Sequence, residues 1–127
     1  REAAALHKLK SLSHIGPDAL RRVERARILL EAPREAPLSI EEVAAQVGWS
    51  ADHLRRTFRA VFGTSPNQIQ TSARLRRAKE LLRYELLPIH KIAEQCGFDD
   101  ASHFSRVFKQ ECGISPREFL ASIKKSG

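Results

Sequence analysis

Residues 38–69 (LSIEEVAAQVGWSADHLRRTFRAVFGTSPNQI) and 87–119 (LPIHKIAEQCGFDDASHFSRVFKQECGISPREF) are two copies of one pattern. That duplication constrains the fold more than any other property of the chain. Ile40 matches Ile89, Val43 matches Ile92, Ala44 matches Ala93, Gly48 matches Gly97 and Trp49 matches Phe98. The register continues through His53/His103, Arg56/Arg106, Phe58/Phe108, Gly63/Gly113 and Ser65-Pro66/Ser115-Pro116. The offset is 49 up to the glycine-aromatic pair and 50 beyond it, so the second copy carries one extra residue at Asp99-Asp100. So many matches with one single-residue gap indicate that one supersecondary unit occurs twice.

Each copy reads as helix, tight turn, helix. Ser39 and Glu42 have the spacing of a capping box for a short first helix. Gly48 and Gly97 stand where that helix must end in a left-handed residue. Ser50 caps the second helix of copy one, and Asp99 or Asp100 that of copy two, where a carboxylate also suits the helix dipole. Leu54, Phe58 and Val61 (or Phe62) form one apolar face, as do Phe104, Phe108 and Cys112. Gly63 and Gly113 close those helices. Ser65-Pro66 and Ser115-Pro116 open the next ones, with Ser as N-cap and Pro in the first turn.

The predicted fold is all-α, about seven helices in two helix-turn-helix subdomains joined by a linking helix. Residues 17–65 form the first subdomain, 66–85 the linking helix and 86–127 the second subdomain. In the helix after Pro17, Leu20, Val23, Ile28 and Leu30 mark the apolar side. Ala73, Leu75, Ala78, Leu81 and Leu82 are the candidate buried side of the linking helix, with Arg74, Arg76, Arg77, Lys79 and Arg83 around the rest. Residues 1–16 end in the Gly16-Pro17 break and read as a linker or tail, with a short helix as an option. The chain opens at Arg1 and contains no Met, so a piece of a longer protein is expected.

Charge indicates the partner. Lys and Arg number 22 against 15 Asp and Glu, a net charge of +7, which suits a polyanion such as nucleic acid. A solvated basic surface is the plainer explanation of the same number. A helix-turn-helix lays its second helix in the major groove while the first braces it, and the small Ala44 and Ala93 fit the helix crossing. With Leu54 and Phe58 turned inward, Asp52, Arg55, Arg56 and Arg59 face out. With Phe104 and Phe108 inward, Ala101, Ser102, Ser105, Arg106 and Lys109 face out. An exposed Arg can read guanine O6 and N7 through two hydrogen bonds, worth about 1–3 kcal/mol of discrimination. Copy one is therefore expected to carry more base-specific energy than copy two. A solvated helix face competes with this assignment, least for Arg55 and Arg56 and more for Arg59 and Lys109.

Gly97–Phe119 (GFDDASHFSRVFKQECGISPREF) resembles the signature region of the AraC/XylS family of bacterial regulators. GWSADHLRRTFRAVFGTSPNQI is similar to the family's first helix-turn-helix, and RLRRAKELL (Arg74–Leu82) to its linking helix. The resemblance covers about residues 18–123. It implies two recognition helices entering successive major grooves of an asymmetric double-stranded DNA site. It implies activation through RNA polymerase, a separate effector or dimerisation domain, and a bacterial cytoplasmic, nucleoid-associated setting. The family's base-contacting positions fall on Asp52, Arg55, Arg56, Ala101, Ser102, Ser105 and Arg106. Ser50, Arg59, Arg76, Arg77 and Lys109 are the expected phosphate contacts. A linking helix of about 28 Å can hold two units near one DNA turn apart, about 34 Å.

Other classes receive little support. No run of about 18 apolar residues is present, so no membrane span is expected. Cys96 aligns with Val47 and Cys112 with Phe62, both core places; two cysteines suit a reducing cytosol, and a disulfide is a minor option. His53 and His103 lie in different lobes, which disfavours a metal site. No nucleophile-base set, paired carboxylates or phosphate loop appears, so neither an enzyme nor a cofactor is expected. The chain alone is expected to be monomeric. Two competing functions remain: a protein-interaction module docking RNA polymerase with one DNA-reading unit, and a general RNA or nucleoid binder. The latter would leave the repeated Gly-aromatic and Ser-Pro punctuation unexplained.

Overall fold

The computed structural model describes residues 15–84 and 86–126. The tail expected before residue 15 lies outside them. Seven helices occur among the described residues: α1 (Pro17–Glu31), α2 (Ile40–Gln46), α3 (Ala51–Phe62), α4 (Pro66–Tyr84), α5 (Ile89–Gln95), α6 (Ala101–Cys112) and α7 (Pro116–Ser126). There is no strand among the described residues, in keeping with the all-α expectation. The chain divides into two compact units. The first comprises the described residues up to Ala32 with Leu38–Gln70; the second comprises Pro33–Pro37 and the chain from Thr71 on.

The helix limits follow from local chemistry. Pro17 starts α1, where its missing N–H is no loss, and the chain turns extended at Ala32 just before Pro33. Ser39 and Glu42 form the expected capping box at α2. Ser50 accepts from the His53 N–H at 3.1 Å and opens α3, while Asp100, not Asp99, accepts from His103 N–H at 2.7 Å and opens α6. The Ser65 hydroxyl accepts from Gln68 N–H, and Ser115 makes a full capping box with Glu118. The Ser115 backbone N–H, which donates to the carboxylate, and then the Ser115 side chain hold the Glu118 carboxyl below the usual carboxylate range.

Unit one packs α1 against α2 and α3. Its core comprises Val23, Ala26 and Leu30 of α1, Ile40, Val43, Ala44 and Val47 around α2, and Leu54 and Phe58 of α3. The inward stripe of α1 differs from expectation. Ile28 is 58% exposed and Leu20 38% exposed, whereas Ala26 is fully enclosed. Hydrophobic bulk alone pointed to Ile28, but the crossing of α1 over its neighbours has room only for a small side chain at its centre.

Unit two repeats this arrangement. Leu75, Ala78 and Leu82 of α4 meet Ile92 and Ala93 of α5 and Cys96 at its C-cap, with Phe98 and with Phe104 and Phe108 of α6. Phe98, Phe104, Phe108 and Phe119 form a chain of tilted rings with centroids 5.2, 5.6 and 5.7 Å apart. Val23/Leu75, Ala26/Ala78 and Leu30/Leu82 are therefore equivalent pairs at an offset of 52. The repeat is three helices long, and the stretch from Leu30 to Ile40 is three residues longer than the equivalent stretch from Leu82 to Ile89. Helix α4 serves twice: Ile69 in its first turn packs on the core of unit one, and its later turns are the first helix of unit two.

Candidate nucleic-acid interface

The turn between the two helices of each unit is built identically. Gly48 and Gly97 take φ of +77° and +84°, in the left-handed region. Trp49 N–H then returns to the Ala44 carbonyl at 2.8 Å, and Phe98 N–H to the Ala93 carbonyl at 3.0 Å. This closure satisfies the last carbonyls of the bracing helix and aims the chain into the recognition helix. Ala44 and Ala93 are almost fully buried at the crossing, as their size predicted.

Helices α3 and α6 each bury one stripe. Leu54 and Phe58, and Phe104 and Phe108, are wholly inaccessible to solvent. Helical geometry then turns the intervening side chains outward. Ser50, Asp52, Arg55, Arg56 and Arg59 are exposed in unit one, and Ser102, Arg106 and Lys109 in unit two. Ala101 and Ser105 are half-buried and line a hollow with His90, Ser102, Ser115 and Arg117. On α4, Arg76 is exposed while Arg77 is half-buried, its Nε enclosed and without a hydrogen-bond partner among the described residues.

The two exposed faces differ in chemistry. In unit one Arg55 places Nη1 3.4 Å from Asp52 Oδ1 and Nη2 3.4 Å from Glu41 Oε1. Arg56 Nε lies 3.4 Å from the Asp52 carbonyl. These contacts are long and solvated, so each adds at most about 1 kcal/mol to folding. Among the described residues of unit two no arginine is bracketed in this way: Ser102 and Ser105 occupy the places of Asp52 and Arg55.

The recurring histidines have a packing role. His53 stacks on Trp49 with centroids 4.4 Å apart, and His103 meets Phe98 edge-on at 5.6 Å. In both units the histidine covers the aromatic that follows the turn glycine. Among the described residues no His, Cys, Asp and Glu side chains are grouped as for a metal ion. Cys96 is buried, Cys112 half-buried, and neither is in a disulfide.

Sequence reasoning missed two arginines beneath the turns. Arg22 of α1 donates from Nη1 to the Val47 carbonyl at 2.6 Å, while its Nε is held by Asp18 at 2.8 Å. Arg74 of α4 donates from Nη2 to the Gly97 carbonyl at 2.8 Å and lies over the Phe98 ring at 5.1 Å. The two are equivalent at the offset of 52, like the core residues beside them. Arg74 does not belong with the outward-facing basic residues of its helix, where its charge had placed it. Burial works against its charged form, and Asp99 partly offsets this. The missing signal was the gap-shifted match of α1 with α4, which pairs Arg22 with Arg74.

Comparison with known proteins agrees with this geometry. A family model described as "Helix-turn-helix domain" matches residues 43–122, more than half of the chain. The HTH-type transcriptional activator RhaR of Pectobacterium carotovorum is 41% identical over 90 residues, covering 71% of this chain and 32% of RhaR. The HTH-type transcriptional regulator GbdR of Pseudomonas aeruginosa is 31% identical over 112 residues, covering 88% of this chain and 30% of GbdR. The chain thus spans about a third of the length of these curated relatives. A crystal structure of an AraC-type DNA-binding-domain regulator from Chromobacterium violaceum is similar, with TM-score 0.76 and 34% identity. That similarity covers 88% of this chain and all of the other.

Proposed function

The chain belongs to the AraC-type helix-turn-helix family of DNA-binding transcription regulators, and from that premise we propose that it reads an asymmetric duplex site with α3 and α6. Each helix enters its own major groove, the two grooves being successive. Asp52, Arg55 and Arg56 contact base edges from α3, and Ala101, Ser102, Ser105 and Arg106 from α6. Ser50, Arg59, Arg76, Arg77 and Lys109 contact phosphates. Ala101 has no hydrogen-bonding group and offers only apolar contact to a thymine methyl. The parent protein is expected to activate transcription by touching RNA polymerase, under control of an effector or dimerisation domain. By itself this chain works as a monomer.

One observation carries this reading: two recognition helices share the same buried stripe but present differently armed exposed faces. The test is selection from a pool of random duplex DNA. The expected result is an unsymmetrical consensus of two blocks, with affinity falling steeply as salt rises. A pool that yields no consensus overturns the reading.

The half-burial of Ala101 and Ser105 supports a second reading, in which unit two docks RNA polymerase and only α3 reads DNA. Footprinting separates them: two protected grooves support the first reading, one protected groove the second.

A further inference from the structure

We propose that Glu41, which lies on the bracing helix α2 and outside both recognition helices, fixes the base preference of α3 by holding Arg55. This rests on the reading of α3 as a recognition helix and adds a positioning residue to it.

Arg55 stands between two carboxylates from different elements. Nη2 is 3.4 Å from Glu41 Oε1, fourteen residues away, and Nη1 is 3.4 Å from Asp52 Oδ1, one turn earlier on α3. Side-chain exposures are 46% for Arg55, 70% for Glu41 and 88% for Asp52. Pairs so exposed contribute little to folding, so stability does not account for the bracket.

Its consequence for DNA is more direct. An unrestrained arginine reaches phosphates as readily as bases, and a phosphate contact carries no sequence information. Two carboxylates at the terminal nitrogens of Arg55 change both options. They limit the directions in which the guanidinium points. They also place negative charge where a phosphate would approach, and like charges repel. A guanine edge offers two acceptors, O6 and N7, without a full negative charge, so it is penalised less. The bracket lowers affinity for any duplex while favouring the one with guanine in place.

The second copy shows the contrast. By the offsets of the repeat, His90 stands where Glu41 does, Ser102 where Asp52 does and Ser105 where Arg55 does. These three side chains line one hollow in unit two, beside Arg117, and no carboxylate lines it. The bracket is present or absent as a set, which ties Glu41 to the arginine it holds and not to the helix it stands on. Glu42, its neighbour, is already used in the cap of α2.

The experiment uses the chain with the duplex selected from a random pool and with single-base-pair variants of that duplex. Affinities are measured for the parent protein, Glu41→Gln, Arg55→Ala and the double variant. Glu41→Gln is expected to tighten binding to unrelated duplex DNA. It is also expected to reduce discrimination at the base pair read by Arg55 by about threefold, the scale of an exposed ion pair. In the Arg55→Ala background the same change should leave discrimination unaltered. A purely structural role for Glu41 would not alter ratios between duplexes or make them depend on Arg55. Discrimination in Glu41→Gln equal to that of the parent protein, with Arg55→Ala impaired, overturns this inference alone. If Arg55→Ala keeps every base preference, the reading of α3 fails and this inference fails with it.

Discussion

Arg74 and Gly97 lie twenty-three residues apart and are joined by one hydrogen bond, from Nη2 to the carbonyl oxygen at 2.8 Å. The acceptor belongs to the residue that turns the chain from α5 towards α6. Arg22 does the same for unit one, although its acceptor is the carbonyl one residue earlier in the turn, on Val47. In each unit the first helix therefore holds the turn between the other two with a charged donor. Each arginine thus helps to fix the turn that leads into the third helix of its unit.

Arg74→Ala should lower the stability of the protein by about 1.5–3 kcal/mol, the range for a hydrogen bond to a charged group. Arg22→Ala should cost less, since that side chain is 40% exposed. Urea unfolding followed by circular dichroism measures both. An unchanged midpoint for Arg74→Ala would show that the turn holds without it.

Gly97→Ala is expected to destabilise by about 1–2 kcal/mol from the left-handed backbone alone. The added methyl would also lie 2.9 Å from Pro37 Cδ and 3.3 Å from Arg74 Nε, forcing a local shift. Thermal unfolding gives the magnitude. A loss well below 1 kcal/mol would mean that the turn relaxes to another conformation.

Arg55→Ala and Arg56→Ala should each relax preference at one base pair, by about 1–3 kcal/mol. Arg59→Ala and Lys109→Ala should instead weaken binding to all duplexes alike and reduce the salt slope by about one unit each. Titrations against the selected duplex and its variants, at several salt concentrations, distinguish the two classes. Uniform weakening by Arg55→Ala would move that residue to the phosphate class.

Burial pushes the Cys96 thiol up to about 11, against an ordinary value near 9. Its folded form therefore keeps the proton through neutral and mildly alkaline pH, and the thiolate is the reactive species. Iodoacetamide at pH 8 should label Cys112 in the native protein and spare Cys96 until it unfolds. Equal labelling of both, read by mass spectrometry, would contradict the enclosed position of Cys96.

Much of this fold was legible because punctuation was strong. Ser39 with Glu42, the turn glycines and the two Ser-Pro steps each specify a local geometry almost independently of what packs nearby. The inward residues of α3 and α6 were legible because Leu54, Phe58, Phe104 and Phe108 are large and spaced by one turn. What escaped depends on partners distant in sequence. Ala26 is central and Ile28 peripheral in α1, a difference set by how closely helices cross. The kinship of α1 with α4 was hidden by three additional residues between Leu30 and Ile40. Arg22 and Arg74 read as surface charge because composition does not reveal a carbonyl waiting twenty-odd residues later. The Glu41–Arg55 contact likewise joins two elements that no periodicity relates.

Along Ala51–Phe62 and Ala101–Cys112, side chains committed to the interior alternate with side chains that touch no core. On the proposed reading, the alphabet of targets is therefore written on a margin that folding does not edit. If those positions read DNA as proposed, a descendant that exchanged Arg55, Arg56 or Ser102 would acquire new operators without renegotiating its architecture. With two such margins in one molecule, one can wander while the other keeps the lineage attached to its genome.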